Sequence, residues 1–354
     1  MKIVHIADRN EQRPGLKDYT VQSKLNNGFI RNGHNVWFFS DRDMARAANP
    51  FGNRKLGTGA ANRKLIELCE NFKPDLIALC KAEVIRADTL ARIRRMLPDL
   101  RVLQYSVDPM FIDDITALMN AKAPVVDHSF VTTAGPVLAK VATEIAPARF
   151  FPNPVDPSID TFKNHERDDL PVDLFFAGSQ SPWTDPDDLR NTAPGAIREK
   201  MPEVKTGFYG MDGAPKVWGA AFKDALGQAK MGLNFSQRPP GSEAGAGGPL
   251  YLYSSDRVGM YMGNGLLTFS GSLFGLSELY GGDAIVEVDS LEALLDRLRY
   301  FMAHDTERKK VAAAGYLLAH AEFNERLVAR YMVEATFGQG FTHPYRWPTE
   351  AYTP

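Results

Sequence analysis

The sequence predicts an α/β protein made of two parallel-sheet domains. Three observations carry that reading. Short apolar runs alternate with amphipathic stretches along most of the chain, a proline-rich segment interrupts the alternation near its middle, and 354 residues suit two domains of ordinary size. "KIVHIAD" (2–8) is a buried strand, followed by a polar loop with Pro14 and Gly15. The next stretch places Val21, Leu25 and Phe29 at helical spacing, and Gly33 ends it before the strand "NVWFFS" (35–40). The cycle repeats as helix 59–72, strand "DLIALC" (75–80), helix 86–97 and strand "RVLQYSV" (101–107). Helix 112–121, strand "HSFVTT" (128–133) and helix 135–146 complete the first half.

"ARFFPNPVDPS" (148–158) breaks the rhythm with three prolines. The alternation restarts with strand "VDLFFAGS" (172–179), helix 187–200, strand "VKTGFYG" (204–210), helix 216–230 and strand "MGLNFSQ" (231–237). A glycine-rich stretch, "RPPGSEAGAGGP" (238–249), precedes "YSSDRVGMYMGNGLLTF" (253–269), which reads as a short helix, a tight turn and a strand. "DAIVEV" (283–288) and two C-terminal helices follow. The expected domains are 1–154 and 155–336: two Rossmann-like lobes whose parallel sheets face each other across a cleft. Residues 337–354 form an aromatic, proline-rich tail. Packing back over the first lobe is the favoured reading of it, and contact with a membrane or partner through Tyr345, Arg346 and Trp347 is the other.

Composition narrows the function. Hydrophobic residues make up 44% and charged residues 24%, with a net charge of −2. No basic stripe with interleaved aromatics points to nucleic acid. Cys69 and Cys80 each sit in an apolar setting and read as reduced thiols of a cytoplasmic protein. The chain opens on a strand, with no signal-peptide pattern and no apolar run of about 18 residues. Peripheral contact with the inner face of a membrane stays open.

In open parallel sheets, ligands bind beyond the carboxyl ends of the strands. In the first lobe those ends carry Asp8, Asp41, Arg42, Asp43, Lys81, Glu83 and Asp108. In the second they carry Gly178, Ser179, Gln180, Tyr209, Asn234 to Arg238, Glu243 within the glycine-rich stretch, Ser255, Asp256 and Arg257. Arg257 stands at an expected helix start, where free N–H groups and a partial positive charge favour an anion. Its guanidinium adds a two-pronged phosphate fork. The plain alternative is an arginine paired with Asp256 or with a carboxylate at the interface of the lobes.

The ordered series "DLFFAGS", "FYGMDG", "AFKDALGQAKMGLNFS", "DRVGMYMGNGLLTFSGS" and "LYGGDAIVEVDSLEALLDRLRYFMAHDTERKKVAAAGY" resembles the C-terminal half of GT-B glycosyltransferases, of the spore-maturation-protein type. The likeness covers about 170–335, and "FFPNPVDPS" resembles the family's segment between lobes. It implies a GT-B fold and transfer of a sugar from a nucleotide-diphosphate sugar to a glycan, lipid-linked or protein acceptor. It also implies a donor site on Gly178, Ser179, Tyr209, Asn234, Glu243, Ser255, Asp256 and Arg257. Met260 departs from the pattern, standing where the family usually has a ribose-binding glutamate, with Asp256 and Glu278 as candidate replacements. A non-catalytic nucleotide-sugar or glycan-binding protein on the same scaffold is the alternative.

For the chemistry, Asp8 and Asp108 are the candidate catalytic carboxylates, with Asp8 ranked first because the first strand's end lies near the sheet centre. Helix capping, or pairing with Arg9 or Lys81, is the plain reading of either. His5 alternates with apolar neighbours and reads as a core histidine. No histidine or cysteine spacing suggests a metal site, and "DRD" (41–43) is a weak one, so a metal-independent reaction without a cofactor is expected.

Overall fold

A computed structural model describes residues 1–179, 187–211, 213–239, 241–242 and 247–354. The chain divides into two compact units. The first comprises Met1–Thr132, Val137–Pro152 and Glu325–Pro354; the second comprises Thr133–Pro136 and Asn153–Asn324.

The first unit runs β1 (Lys2–Ile6), α1 (Val21–Arg31), β2 (Asn35–Phe39), α2 (Asp41–Ala47), α3 (Arg54–Phe72), β3 (Leu76–Cys80), α4 (Ala87–Met96), β4 (Arg101–Ser106), α5 (Asp113–Asn120), β5 (His128–Val131) and β6 (Ala148–Phe150). Its six strands are parallel and ordered β2-β1-β3-β4-β5-β6. The β3 run Leu76–Cys80 is buried throughout, as a strand covered on both faces must be. Val4, Ile6, Ile77, Leu79, Leu90, Ile93 and Val102 form the core on one side. His5 is fully buried, its Nε2 2.7 Å from the Tyr105 hydroxyl and its Nδ1 3.3 Å from Asn26 Oδ1. Burial pushes its pKa down to about 4, so it is a neutral core histidine.

Two expectations for this half are corrected, and one helix is added. The stretch 135–146 is not a helix; only a 3₁₀ turn forms over Gly135–Lys140, entered by Gly135 at φ +73° and followed by Pro136. The stretch "DRDMARA", between the elements read from the sequence, is the helix α2. Ala148–Phe150, read as part of the break, is the strand β6, and its outer edge is closed by an antiparallel bridge from Ala148 to Tyr352.

The second unit runs β7 (Val172–Ala177), α6 (Leu189–Lys200), β8 (Thr206–Tyr209), α7 (Gly219–Leu226), β9 (Ala229–Asn234), α8 (Arg257–Gly263), β10 (Leu267–Gly271), α9 (Leu276–Tyr280), β11 (Val286–Val288), α10 (Leu291–Ala303) and α11 (Asp305–Glu322). The parallel sheet is ordered β11-β10-β9-β7-β8. Leu174, Phe176, Met231, Leu233, Leu267 and Phe269 meet Ile197, Leu294 and Leu298 of the covering helices in its core.

The C-terminal boundary falls at Asn324 rather than at residue 336. The run expected as one helix after residue 305 breaks at Phe323, and the helix α12 (Glu325–Thr336) belongs to the first unit. There it packs on α1 so closely that a Cβ on Gly28 would lie 2.1 Å from the Glu325 carbonyl oxygen. Arg31 Nη1 sits 2.5 Å from Glu325 Oε1 across the same contact. The tail continues within this unit. Trp347 is only 3% exposed and its ring lies 4.8 Å from Tyr345 and 5.5 Å from Tyr331. The buried Glu334 accepts from the Tyr345 hydroxyl at 2.8 Å and from the Thr342 backbone N–H at 3.3 Å. Among the described residues no helix is long and apolar enough to cross a membrane.

Candidate functional site

Both sheets have the strand order 2-1-3-4-5 counted within their own domain, with a sixth strand in the first. In such sheets the connections leave in opposite directions from the first and third strands, opening a crevice at their carboxyl ends. That switch point lies between β7 and β9 in the second domain and between β1 and β3 in the first.

At the β7–β9 point, β7 delivers Gly178 and Ser179, and β9 delivers Asn234, Phe235 and Ser236. The Gly178 N–H donates to the Tyr209 carbonyl at 3.0 Å, so Tyr209 contributes through its backbone; its ring packs on Phe175 at 5.8 Å. Gly210, at φ +70°, passes so near that a Cβ there would sit 2.1 Å from the Gly178 carbonyl oxygen. The loop before α8 is pinned to this edge. Ser255 Oγ donates to Asn234 Oδ1 at 2.8 Å, and the Ser255 N–H donates to Ser236 Oγ at 3.2 Å. Asn153, from the proline-rich segment, donates through Nδ2 to the Ser254 carbonyl at 2.9 Å.

Those anchors place Arg257. Its Nη2 donates to the Phe235 carbonyl at 3.1 Å, its Nη1 reaches the Ala177 carbonyl at 3.5 Å, and its Cζ lies 5.4 Å from the centroid of Phe176. It makes no ion pair among the described residues. Asp256 precedes it as the residue at the mouth of α8. With seven residues, α8 is short, and the charge at this spot comes more from the guanidinium than from a helix dipole.

A second arginine shares the place. Arg190, the second residue of α6, is 2% exposed. Its Nη2 donates to the Ser179 carbonyl at 2.9 Å, its Nη1 donates to the same Phe235 carbonyl that Arg257 uses, and its Cζ lies 5.6 Å from the same Phe176 ring. Sequence reasoning missed it. "DDLRNT" reads as a helix start, and only the pairing of β7 with β9 brings Phe235 and Ser179 to that helix. The Asn234 Nδ2, Arg190 Nε and Arg257 Nε donors are all buried without a hydrogen-bond partner among the described residues. Burial, and then the Arg257 charge, push Arg190 down to about 9. A guanidinium keeps its proton in proteins, so that push registers as positive potential which an anion relieves.

Beside the arginines lies a cavity of about 510 Å³. Its lining includes Phe235 and Ser236 after β9, Asp188 and Thr192 at the start of α6, and Ser272 and Asp289. Met260 is buried at 3% exposure on the inner face of α8. Glu278, one of its suggested replacements, accepts from the Tyr251 hydroxyl at 2.7 Å. Glu243 and Gln180 lie outside the described residues.

At the β1–β3 point, a smaller pocket of about 120 Å³ is lined by Asp8, Gln22, Asp41, Arg42, Cys80 and Lys81 among others. Asp8 accepts from the Asn10 N–H at 3.1 Å and from Arg42 Nη1 at 3.1 Å. Asp108 is held by a close ion pair to Lys81 and does not line the pocket. Lys81 and Ala82 are consecutive non-glycine residues at φ +54° and +43°, a local strain where β3 turns away from the sheet. Beneath them Asp41 is 1% exposed, its Oδ2 3.4 Å from the Val84 N–H, and burial raises its carboxyl to about 6. Among the described residues no group of three or more His, Cys, Asp or Glu side chains is arranged to hold a metal ion.

Residues 178–334 match the model of the glycosyl transferase-like family. A search of curated proteins returns no match. Among solved structures, sucrose-phosphate synthase from Thermosynechococcus elongatus is similar over 96% of this chain and 98% of its own, with a TM-score of 0.59 at 11% identity. Anabaena HepE in complex with UDP-glucose is similar over 96% and 100%, with a TM-score of 0.57 at 11% identity. An alpha-glucosyltransferase in complex with UDP and a DNA 13-mer is similar over 95% and 99%, with a TM-score of 0.59 at 12% identity. At such identities the structures speak to the fold, and the family match, which spans most of the second domain, speaks to the activity. The chain has the GT-B fold, and the match to the glycosyl transferase-like family lies over residues 178–334.

Proposed function

We propose that the enzyme takes its sugar from a nucleotide-diphosphate donor held by the second domain and passes it to a hydroxyl of a glycan or glycoconjugate acceptor held by the first. The observation that carries the donor assignment is the pair of guanidiniums at the β7–β9 switch point, sharing one carbonyl and one aromatic face with no carboxylate ion pair among the described residues. Leaving of a nucleoside diphosphate develops negative charge on the departing phosphate. Preorganised cations in a partly dry site stabilise that charge without reorganising. Asn234 Nδ2 is a further donor at the same edge, and the adjoining cavity has the volume for a nucleoside. In this reading the counter-charge is supplied by arginine, and the reaction needs no metal ion.

On the acceptor side Asp8 is favoured over Asp108, because Asp8 lines the switch-point pocket. Its pairing with Arg42 fixes the carboxylate for a hydroxyl to approach. UDP- and glucose-containing complexes of Anabaena HepE support the substrate class by similarity of fold.

The test is a thermal-shift panel of UDP-, GDP-, ADP- and CMP-sugars, followed by hydrolysis or transfer assays on the one that stabilises, with and without excess chelator. A ligand that binds only the native state raises its melting temperature. The expected result is selective stabilisation by one nucleotide-diphosphate sugar and turnover that survives chelation. No stabilisation by any of them would refute the donor assignment, and loss of turnover restored by magnesium or manganese would refute metal independence.

A further inference from the structure

The turn between α2 and α3 presents apolar side chains that folding gives no reason to expose. Phe51 is 82% exposed, more than any other large apolar side chain of the described residues, and Leu56, the third residue of α3, is 65% exposed. Ala47, Ala48 and Pro50 beside them are exposed as well. Single apolar residues on a surface need no cause, but several gathered on one tip mark a place that something covers.

The tip is built rather than loose. Asn49 Oδ1 accepts from the Asn53 N–H at 3.0 Å, its Nδ2 donates to the Asn53 carbonyl at 2.8 Å, and the Gly52 N–H closes the turn on the Asn49 carbonyl at 3.1 Å. Asn53 then caps α3 through the Lys55 N–H at 2.9 Å. Behind the turn, α2 and α3 pack so closely that Gly57 has no room for a Cβ against the Ala45 carbonyl. A fixed backbone thus holds Phe51 outward, away from the core.

The charge around the tip has one sign. From Met44 to Ile66 the chain carries Arg46, Arg54, Lys55, Arg63 and Lys64 and no acid, in a protein of net charge −2. Arg46 pairs with Asp43, Arg54 with Glu83 and Lys64 with Glu67. Lys55 and Arg63 are exposed and make no ion pair among the described residues. The neighbouring loop, whose Gln12 approaches Gly52, adds one acid, Glu11, and one base, Arg13, which cancel. Apolar side chains at a crest ringed by unanswered cations suit an anionic bilayer: the apolar groups enter the acyl boundary while the cations stay with the phosphates. A nucleic acid would answer the cations and leave Leu56 in water. The tail, the other aromatic segment, turns Trp347 inward at 3% exposed.

We infer that the α2–α3 tip is a docking site for an anionic lipid surface, with Phe51 and Leu56 entering the acyl boundary and Lys55 and Arg63 meeting lipid phosphates. The inference stands apart from the donor site and from the role given to Asp8. Its consequence is for the acceptor. Helix α2 starts at Asp41 and Arg42, which line the first-domain pocket, and its seven residues span only about 10 Å. Docking through the far end of α2 holds that pocket near the headgroups, where a lipid-linked acceptor would present its hydroxyl.

The test is sedimentation of the full chain with vesicles of phosphatidylcholine alone or mixed with phosphatidylglycerol, at low and high salt. The unaltered protein should bind the mixed vesicles, bind the neutral ones far less, and release as salt rises. Phe51→Ser should weaken binding to mixed vesicles roughly tenfold or more, as loss of one buried aromatic side chain does. Lys55→Gln/Arg63→Gln should weaken it roughly thirtyfold, from two cations lost at the surface. Both variants should melt with the unaltered protein, since the replaced side chains are exposed. No binding to mixed vesicles, equal binding to neutral ones, or binding that neither variant weakens would each overturn the site. Loss of binding only alongside a lowered melting temperature would show a structural role instead. An oligonucleotide bound more tightly than the vesicles and lost in the same variants, or self-association abolished by Phe51→Ser, would overturn it in favour of a different partner.

Discussion

Asp41 offers a sharp test of the first domain. Its carboxyl is 1% exposed under the strained Lys81–Ala82 turn, and burial is the main cause of its rise from 3.8 to about 6. Arg42 and the Val84 N–H oppose that rise, and the negative Asp8 adds to it. The native state therefore holds this proton more tightly than the unfolded chain does. Below about pH 4 both states are protonated and the group is neutral in its effect. As pH rises from 4 through 6 the folded protein must give up the proton against burial, so stability is lost, and above 6 the loss is complete. The difference amounts to about 3 kcal/mol. That is an upper figure for replacement by asparagine. Lys122, whose own ammonium is lowered to about 8 by burial, draws some support from the Asp41 charge and would lose it. Urea unfolding of the unaltered protein and of Asp41→Asn from pH 4 to pH 7 should give curves that diverge, the variant gaining about 1–3 kcal/mol relative to the parent across that window. The titrating groups that do not interact with Asp41 are common to both proteins and cancel. Parallel curves, or a variant that falls behind as pH rises, would refute a protonated-when-native Asp41.

Arg257→Ala should weaken nucleotide-diphosphate binding by about 1.5–3 kcal/mol, whereas Asp8→Asn should lower turnover far more than donor affinity; loss of donor binding in Asp8→Asn equal to its loss of turnover would reverse the assignment of substrates to domains. Trp347→Ala should destabilise by about 3–5 kcal/mol, as removal of a large buried ring does, visible as a drop in melting temperature; an unshifted melting temperature together with loss of binding to anionic lipid vesicles would show instead that the tail serves a membrane.

Much of the fold was legible because local pattern sufficed for it. Runs such as "LIALC" are buried on both faces in the structure, so their unbroken apolar character had marked them as parallel strands without knowledge of their neighbours. Arg257 stood out for a related reason: a lone arginine among small and apolar residues before a glycine turn is a local signal, and the structure sets its guanidinium against the Phe235 and Ala177 carbonyls. The failures share the opposite cause. Residues 148–150 spell nothing by themselves and become β6 only through β5 on one edge and Tyr352, some two hundred residues away, on the other. The continuous helical pattern after residue 305 conceals the break at Phe323, because both sides of it are good helix and what divides them is which sheet each packs against. Asp41 reads as one of several acids at strand ends, and its burial shows only in the tertiary structure. Arg190 is the clearest case. Its identity and helix were in the sequence, but its meaning depends on β7 and β9 lying side by side, since their pairing presents the Ser179 and Phe235 carbonyls to one guanidinium and sets a second guanidinium against it. Sequence determines which groups are available and what local structure carries them; the electrostatic field that makes a site is a sum over residues distant in the chain, and only tertiary structure decides which charges are added and which are left unanswered.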